Sequence, residues 1–134
     1  MIFLDTHIIC WLDAKQTNNF SQTVLDFLGE HNLSISPIVV LELEYLYETK
    51  RITDSAEKII SHLLNRKIIT IDSAHWEDVT TNALAIKWTR DVFDRYIVAH
   101  ADFHQAPLVT KDRLITEHYP LTVAPDAKFI EQKH

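Results

Sequence analysis

The sequence predicts an α/β fold in which a central parallel sheet is covered by helices. Short apolar runs alternate along the chain with helical stretches, from Ile2-Phe3-Leu4 near the start to Leu121-Thr122-Val123 near the end. Such alternation is typical of parallel strands joined by helical crossovers. The 134 residues suit one compact domain, 1–134, with a polar tail from about Asp126.

The first half of the chain predicts two strands and four helices. In order, we expect a strand over 2–4, helices over 6–12 and from 22 to about 29–32, a strand over 33–36, a helix over 37–49 and a helix that begins near residue 55. Ser21 is a good N-cap, and Ser36-Pro37 combines an N-cap with proline at the first helical position. Asp54 and Glu57 have the spacing of a capping box.

The second half predicts three strands and two helices. We expect strands over 68–71, 107–110 and 121–123, and helices over about 74–88 and 91–104. Ser73 is the expected N-cap of the first of these helices. The second is apolar around most of its circumference and is expected to be buried.

Composition excludes several kinds of site. The one glycine, Gly29, rules out a glycine-rich phosphate-binding loop, and the one cysteine, Cys10, rules out an internal disulfide, a cysteine zinc site and an iron–sulfur cluster. The N-terminus does not resemble a signal peptide, and no apolar run reaches the ~20 residues of a membrane helix. We therefore expect a cytoplasmic protein that does not enter membranes.

The acidic residues fall where a parallel sheet forms its sites. Asp5 and Asp112 each follow a predicted strand, and ligands bind beyond the carboxyl ends of such strands. Glu42 and Asp94 lie among apolar residues of two predicted helices, where a carboxylate is costly unless it is paired or binds a cation. Asp91 stands three residues before Asp94, on the same helix face if the helix begins that early.

Acids that converge in this way predict a site for a hard divalent cation. Carboxylate oxygens suit Mg²⁺ or Mn²⁺ and not zinc. Such ions activate water and stabilise charge on a phosphodiester that undergoes in-line displacement. The net charge of −6, from 13 basic and 19 acidic residues, would otherwise oppose nucleic-acid binding. We interpret part of this acid excess as a trap for cations.

Four segments of the sequence resemble the motifs of the PIN-domain ribonucleases, in particular VapC-type toxins. They lie in the family's order and are Phe3-Leu4-Asp5-Thr6-His7, Ile35-Ser36-Pro37 with Glu42, Arg90 to Ala101 with Asp94, and Pro107-Leu108-Val109-Thr110-Lys111-Asp112. Val92, His7 and His100 depart from the commoner residues of the family, but no acid is missing. The resemblance implies a three-layer α/β/α fold with a central parallel sheet.

The resemblance also implies an activity, partners and residue roles. The implied activity is Mg²⁺- or Mn²⁺-dependent RNA cleavage with one or two ions, in a toxin that often forms homodimers and is neutralised by a cognate antitoxin. By position, the catalytic and metal-binding acids are Asp5, Glu42, Asp94 and Asp112. Asp91, Thr6 and Thr110 are accessory, and Asp72, which has no counterpart in this quartet, is assigned to helix capping. RNA phosphates require nearby positive charge, for which Lys111, Arg113 and Arg95 are the leading candidates.

Two alternatives stay open, and a third is rejected. A PIN-like module could bind RNA or an antitoxin without cleaving RNA. A phospho-acceptor receiver domain is also doubly wound, and Asp5, Asp72, Thr110 and Lys111 could imitate its pocket, although Glu42 and Asp94 would then be unexplained. A zinc site at His100 and His104, spaced i, i+4, is disfavoured because the glutamate of a His-Glu-x-x-His motif is absent.

Overall fold

The computed structural model describes residues 1–131, and the last three residues of the predicted polar tail lie outside this range. A parallel sheet is flanked by helices in a three-layer α/β/α arrangement, which confirms the predicted fold class. The strands are β1 (Ile2–Leu4), β2 (Leu33–Ile35), β3 (Thr70–Ile71), β4 (Leu108–Val109) and β5 (Thr122–Val123). The helices are α1 (Thr6–Asp13), α2 (Gln22–Gly29), α3 (Pro37–Glu48), α4 (Ala56–Asn65), α5 (Trp76–Leu84), α6 (Val92–Phe103) and α7 (Arg113–His118).

The strand order in the sheet is β3-β2-β1-β4-β5, and every neighbouring pair is parallel. Phe3 is aligned with Leu108 and Leu4 with Val109, so β1 and β4 end side by side. Strand β1 is therefore central, with β2 and β3 on one side of it and β4 and β5 on the other. The residues that follow β1 and β4 therefore meet at the centre of the sheet's carboxyl edge.

Several helix starts agree with the sequence, and two differ. Ser21 caps α2 by accepting a hydrogen bond from the Val24 amide, as expected. Helix α4 is capped by Ser55 and not by Asp54, whose carboxylate pairs instead with Lys58 at 3.1 Å. A cap at Ser73 predicts a helix that begins at residue 74, but α5 begins at Trp76. The helix starts later because His75 occupies the left-handed region with φ of 61°.

The buried core joins the sheet to helices on both faces. Its largest fully buried members include Phe3, Ile8, Ile35, Leu43, Ile97 and Leu108, contributed by strands and helices alike. Helix α6 is buried over its second half, from Ile97 to Ala101, and packs against α5 and α3. This packing fixes α6 relative to β1 and so determines where its acidic first turn lies.

The part of the polar tail that the structure describes is attached to α2. Ser21 donates a 2.5 Å hydrogen bond to the Ala127 carbonyl, and Thr23 donates one of 3.1 Å to the Lys128 carbonyl. Within residues 1–131, no helix is long and apolar enough to cross a membrane.

Asp72 does not cap a helix, contrary to the sequence-based assignment. It directly follows β3, and its carboxylate accepts hydrogen bonds from His100 and His104 of α6 at 2.9 and 2.6 Å. The sequence could not indicate this contact, because only the packing of α6 on the sheet brings these residues together.

Candidate metal centre

Two acids extend directly from the ends of adjacent strands. Asp5 follows β1 and caps α1 by accepting a 2.8 Å hydrogen bond from the Thr6 amide. Asp112 lies three residues beyond β4 and caps α7 by accepting a 3.0 Å bond from the Ile115 amide. Each residue thus has the structural role of a helix cap, and the pairing of β1 with β4 places both at the same edge of the sheet.

Two helices bring further acids to this edge. Glu42 projects from the middle of α3, and Asp94 lies in the first turn of α6. Asp91 is the N-cap of α6, and its carboxylate accepts a 3.0 Å hydrogen bond from the Asp94 amide. All five acids line one cleft of about 240 Å³, here called the acidic cleft, whose lining residues are Asp5, His7, Glu42, Asp91, Asp94, Lys111 and Asp112.

Two buried threonines orient the carboxylates. Thr110 Oγ1 donates a 2.6 Å hydrogen bond to Asp5 Oδ2 and also accepts a 3.0 Å bond from the Asp112 amide. Thr6 Oγ1 donates to Glu42 Oε1 across the gap between α1 and α3. Neither threonine lines the acidic cleft, so both act by positioning the acids that do.

The electrostatics of the cleft oppose full ionisation of its acids. Burial raises the pKa of the Asp5 carboxyl above its ordinary value, although hydrogen bonds from Thr110 and Thr6 act in the opposite direction. Burial also raises the pKa of Glu42 to about 7, again against the hydrogen bond from Thr6. Burial and the neighbouring charge of Asp91 raise the pKa of Asp94 to about 8. Protons, or a cation, must therefore neutralise the cleft at neutral pH.

The donor set fits a hard divalent cation. The acids of the cleft offer only carboxylate oxygens, and a bound cation would offset both the burial and the mutual repulsion that raise the pKa values of Glu42 and Asp94. Mg²⁺ and Mn²⁺ prefer oxygen ligands of this kind. The predicted acids Asp5, Glu42, Asp94 and Asp112 are thus brought together, with Asp91 beside them.

The three basic residues proposed for RNA binding lie in different places. Lys111 lines the acidic cleft, and its ammonium lies 5.5 Å from the centre of the Trp11 ring. Lys111 and Arg113 also line an adjoining cleft of about 560 Å³. Arg95 lines neither cleft, because its guanidinium donates two hydrogen bonds, of 3.3 and 3.1 Å, to the Ala83 carbonyl.

His7 is a cleft residue that the sequence analysis did not include in the site. It lies in the first turn of α1, two residues after Asp5, on the exposed side of the helix. Desolvation in the cleft and the ammonium of Lys111 lower its pKa. Its proximity in sequence to Asp5 was a signal that could have identified it.

The cleft does not form the pocket of a receiver domain. Such a pocket would require Asp72 beside Asp5, but Asp72 follows β3, which is separated from β1 by β2. Asp72 is absent from the lining of the acidic cleft and faces the two histidines of α6 instead.

Comparisons with known proteins identify the fold that carries this cleft. The sequence profile of the PIN domain matches residues 2–119. A toxin–antitoxin complex from Klebsiella pneumoniae is similar, with a TM-score of 0.65 and 19% identity over 93% of this chain and 98% of that chain. VapBC2 from Rickettsia felis, bound to a promoter DNA fragment, has a TM-score of 0.60 and 21% identity over 94% of this chain and 98% of that chain.

A third structure, DNA-bound VapBC from Salmonella typhimurium, has a TM-score of 0.58 and 16% identity over 93% of this chain and 96% of that chain. At these identities the likeness establishes a shared fold. No curated protein sequence matches at a significant level.

Proposed function

Because the chain belongs to the PIN domain family, we propose that it is a metal-dependent endoribonuclease and the toxin of a toxin–antitoxin pair. The observation that carries this proposal is the convergence of five carboxylates in one cleft of about 240 Å³. They come from the β1–α1 junction, α3, the start of α6 and the β4–α7 junction. Glu42 and Asp94 lie within helices and do not cap them, so helix capping does not explain why these two acids lie in the cleft.

Asp5, Glu42, Asp94 and Asp112 are the residues that would hold one or two Mg²⁺ or Mn²⁺ ions, with Asp91 as an accessory acid. When bound, such an ion supplies Lewis acidity that activates water and stabilises charge on the phosphodiester. Thr110 and Thr6 hold Asp5 and Glu42 in fixed orientations before any ion enters. The protein thereby avoids reorganising two of its ligands during the reaction.

The charge pattern around the acidic cleft supports an RNA substrate. Lys111 lies at the border between the acidic cleft and the adjoining cleft, which Arg113 also lines. A phosphate near the acids would therefore meet an ammonium on one side, and the next phosphate along the strand could reach the guanidinium. The Lys111 ammonium also makes a cation–π contact with the Trp11 ring.

Partner proteins are the second part of the proposal. One of the similar structures is a toxin–antitoxin complex and two are DNA-bound VapBC assemblies, and we extend the role of a toxin with a protein partner to the present chain. Apolar side chains remain exposed on α3 and α6, with Leu41 at 58%, Tyr45 at 44% and Val92 at 59% of their full accessibility. Tyr45 contacts Phe93, with ring centres 5.7 Å apart, so the two helices share this surface. We propose that it serves association with an antitoxin or a second copy in the cytoplasm.

The proposed activity is tested by incubating purified protein with single-stranded and structured RNA in Mg²⁺ or Mn²⁺. We expect cleavage that EDTA abolishes and that Asp5→Asn and Asp112→Asn each lower by about 100-fold or more. Asp26→Asn, which changes an exposed acid of α2, is the matched control and should retain full activity. Thermal unfolding verifies that each variant is folded.

Two results would overturn the proposal in different ways. Cleavage that is unaffected by EDTA or by both cleft variants would show that the acids do not carry the reaction. RNA or antitoxin binding by the folded wild-type protein, with no cleavage under any metal, would identify a non-catalytic binding module.

A further inference from the structure

A second cluster of metal-ligating side chains lies apart from the acidic cleft. It consists of Asp72, which follows β3, and His100 and His104 on successive turns of α6, and is here called the Asp–His cluster. Both histidines direct Nε2 at the same atom, Asp72 Oδ2, at distances of 2.9 and 2.6 Å. The donor atoms of all three residues lie within 4.8 Å of one another.

The surroundings hold this arrangement in place. His100 is completely buried, and its ring centre lies 4.8 Å from that of Phe3 in β1. His104 stacks on the same Phe3 ring at 5.6 Å, and the two imidazole rings lie 5.7 Å apart with an angle of 22° between their planes. The side chains of His104 and Asp72 are 23% and 16% exposed, so one side of the cluster is accessible to solvent. An ion could therefore enter from that side.

Burying His100 in this cluster lowers the stability of the fold, which suggests that the histidines have a further role. Within residues 1–131, His100 Nδ1 has no hydrogen-bond partner although it is buried. Because Asp72 can only accept, His100 carries its hydrogen on Nε2 in this arrangement. A leucine or phenylalanine at this position would satisfy the apolar surroundings without leaving a nitrogen unpaired.

The donor atoms are of the kind that a transition metal of intermediate softness prefers. Two imidazole nitrogens and one carboxylate oxygen are ligands typical of Zn²⁺, with a fourth position left for water. In a tetrahedral zinc site with bonds of about 2.0–2.1 Å, neighbouring ligand atoms are separated by about 3.3 Å. The present separations of 2.9 and 2.6 Å from Asp72 Oδ2 would have to increase by less than about 1 Å. The donor atoms of the two histidines lie within 4.8 Å of each other and would have to adopt the same spacing.

The sequence alone disfavours zinc at His100 and His104, but the fold adds Asp72 as a third ligand. We propose that Asp72, His100 and His104 form a binding site for Zn²⁺ or a similar divalent transition metal, separate from the acidic cleft. On binding, each neutral imidazole offers the Nε2 lone pair and carries its hydrogen on Nδ1. For His100 this hydrogen has no acceptor among residues 1–131, so the site binds more weakly than a closed structural zinc site. The ion joins the end of β3, at the edge of the sheet, to the second half of α6.

The site is tested by equilibrium dialysis of the full chain against Zn²⁺, with bound metal quantified by mass spectrometry. Co²⁺ is the spectroscopic probe, because tetrahedral coordination by nitrogen and oxygen gives it visible absorption. His104→Gln and Asp72→Asn alter the accessible ligands and spare the buried His100. His62→Gln is the matched control, since His62 forms a 2.7 Å pair with Asp13 on the surface and belongs to no group of three metal-ligating side chains among residues 1–131. Asp5→Asn disables the acidic cleft.

We expect one equivalent of Zn²⁺ in the wild type, in Asp5→Asn and in His62→Gln. His104→Gln and Asp72→Asn should each weaken binding by about tenfold or more. Zinc should also raise the melting temperature of the wild type by about 5 °C or more and leave that of His104→Gln unchanged. The inference is overturned if folded His104→Gln binds zinc as tightly as the wild type, if Asp5→Asn removes the binding, or if the wild type binds none.

Discussion

Thr110 Oγ1 donates a 2.6 Å hydrogen bond to Asp5 Oδ2, and this bond joins two residues that are 105 positions apart in the chain. It lies just beyond the ends of β1 and β4, where the backbones of the two strands are already paired. Both residues are buried, with Thr110 fully inaccessible and Asp5 at 6% exposure. The orientation of the central acid of the cleft is therefore fixed by the fold and does not depend on a bound ion.

Replacing Thr110 by valine should show how much this hydrogen bond contributes to the free energy of unfolding. Valine has nearly the same shape, so the changes are that the buried Asp5 carboxylate loses its hydroxyl donor and that the Asp112 amide loses its acceptor. We expect the free energy of unfolding to fall by about 1–3 kcal/mol in urea denaturation. Thr116→Val is the control, because Thr116 donates to the Asp112 carbonyl on an exposed helix face, and it should cost less than about 0.5 kcal/mol. Equal losses for both variants would contradict the role of Thr110.

The raised pKa values predict how the stability of the metal-free protein depends on pH. Glu42 and Asp94 ionise in the unfolded chain near their ordinary values of 4.5 and 3.8, but in the folded protein only near 7 and 8. Between these limits the folded state binds more protons at both carboxyls, so the contribution of these two groups to stability falls as the pH rises from about 4 to about 8. Burial lowers the pKa of His7 and His100, so the contributions of these two groups change in the opposite direction. Burial is the largest cause of both carboxyl pKa shifts. Replacing either carboxyl by a neutral amide should therefore remove the contribution of that residue to the pH dependence of stability.

Asp94→Asn should therefore flatten this decline and raise the melting temperature of the metal-free protein at pH 8. Thermal unfolding in EDTA across the pH range measures both quantities, with the exposed Asp26→Asn as control. Adding Mn²⁺ at pH 8 should stabilise the wild type more than Asp94→Asn. Identical pH profiles for the wild type and Asp94→Asn would show that ionisation of the buried Asp94 carboxyl does not destabilise the fold.

The positions of the basic residues predict different effects on RNA binding. On an Asp94→Asn background, in which we expect no cleavage, Lys111→Ala should weaken RNA binding and reduce the slope of log affinity against log salt by about 0.7–1. Arg95→Ala should leave this slope unchanged, because the Arg95 guanidinium is engaged by the Ala83 carbonyl. Lys58→Ala, on the exposed face of α4, is the control. Filter binding at several salt concentrations distinguishes these outcomes, and a reduced slope for Arg95→Ala alone would reverse the assignment.

The sequence predicted the elements that local chemistry determines. An apolar run that ends in Asp5, or a Ser36-Pro37 helix start, depends only on neighbouring residues and on the rule that parallel strands place their carboxyl ends together. The predicted strand over 68–71 was too long, because the edge strand β3 pairs with β2 only from Thr70 onward. Strand ends at a sheet edge depend on the partner strand, which the sequence does not display.

Contacts between distant segments were not predictable in the same way. Asp72 has the sequence position of a helix cap, and only the packing of α6 against β1 brings it to His100, 28 residues away. Arg95 follows a cleft residue directly, yet successive residues on a helix point in different directions, so its side chain reaches α5 instead of the cleft. Both cases depend on how helices are rotated about their axes in the folded protein.

The central claim is that acids from four parts of the chain form one divalent-cation site in the acidic cleft. Anomalous diffraction from crystals soaked in Mn²⁺ tests it most directly, because it locates the ion without relying on activity. We predict an anomalous peak in contact with carboxylate oxygens of Asp5, Asp94 and Asp112. A fully soaked crystal with no peak in the acidic cleft, or with manganese only at the Asp–His cluster, would contradict the claim.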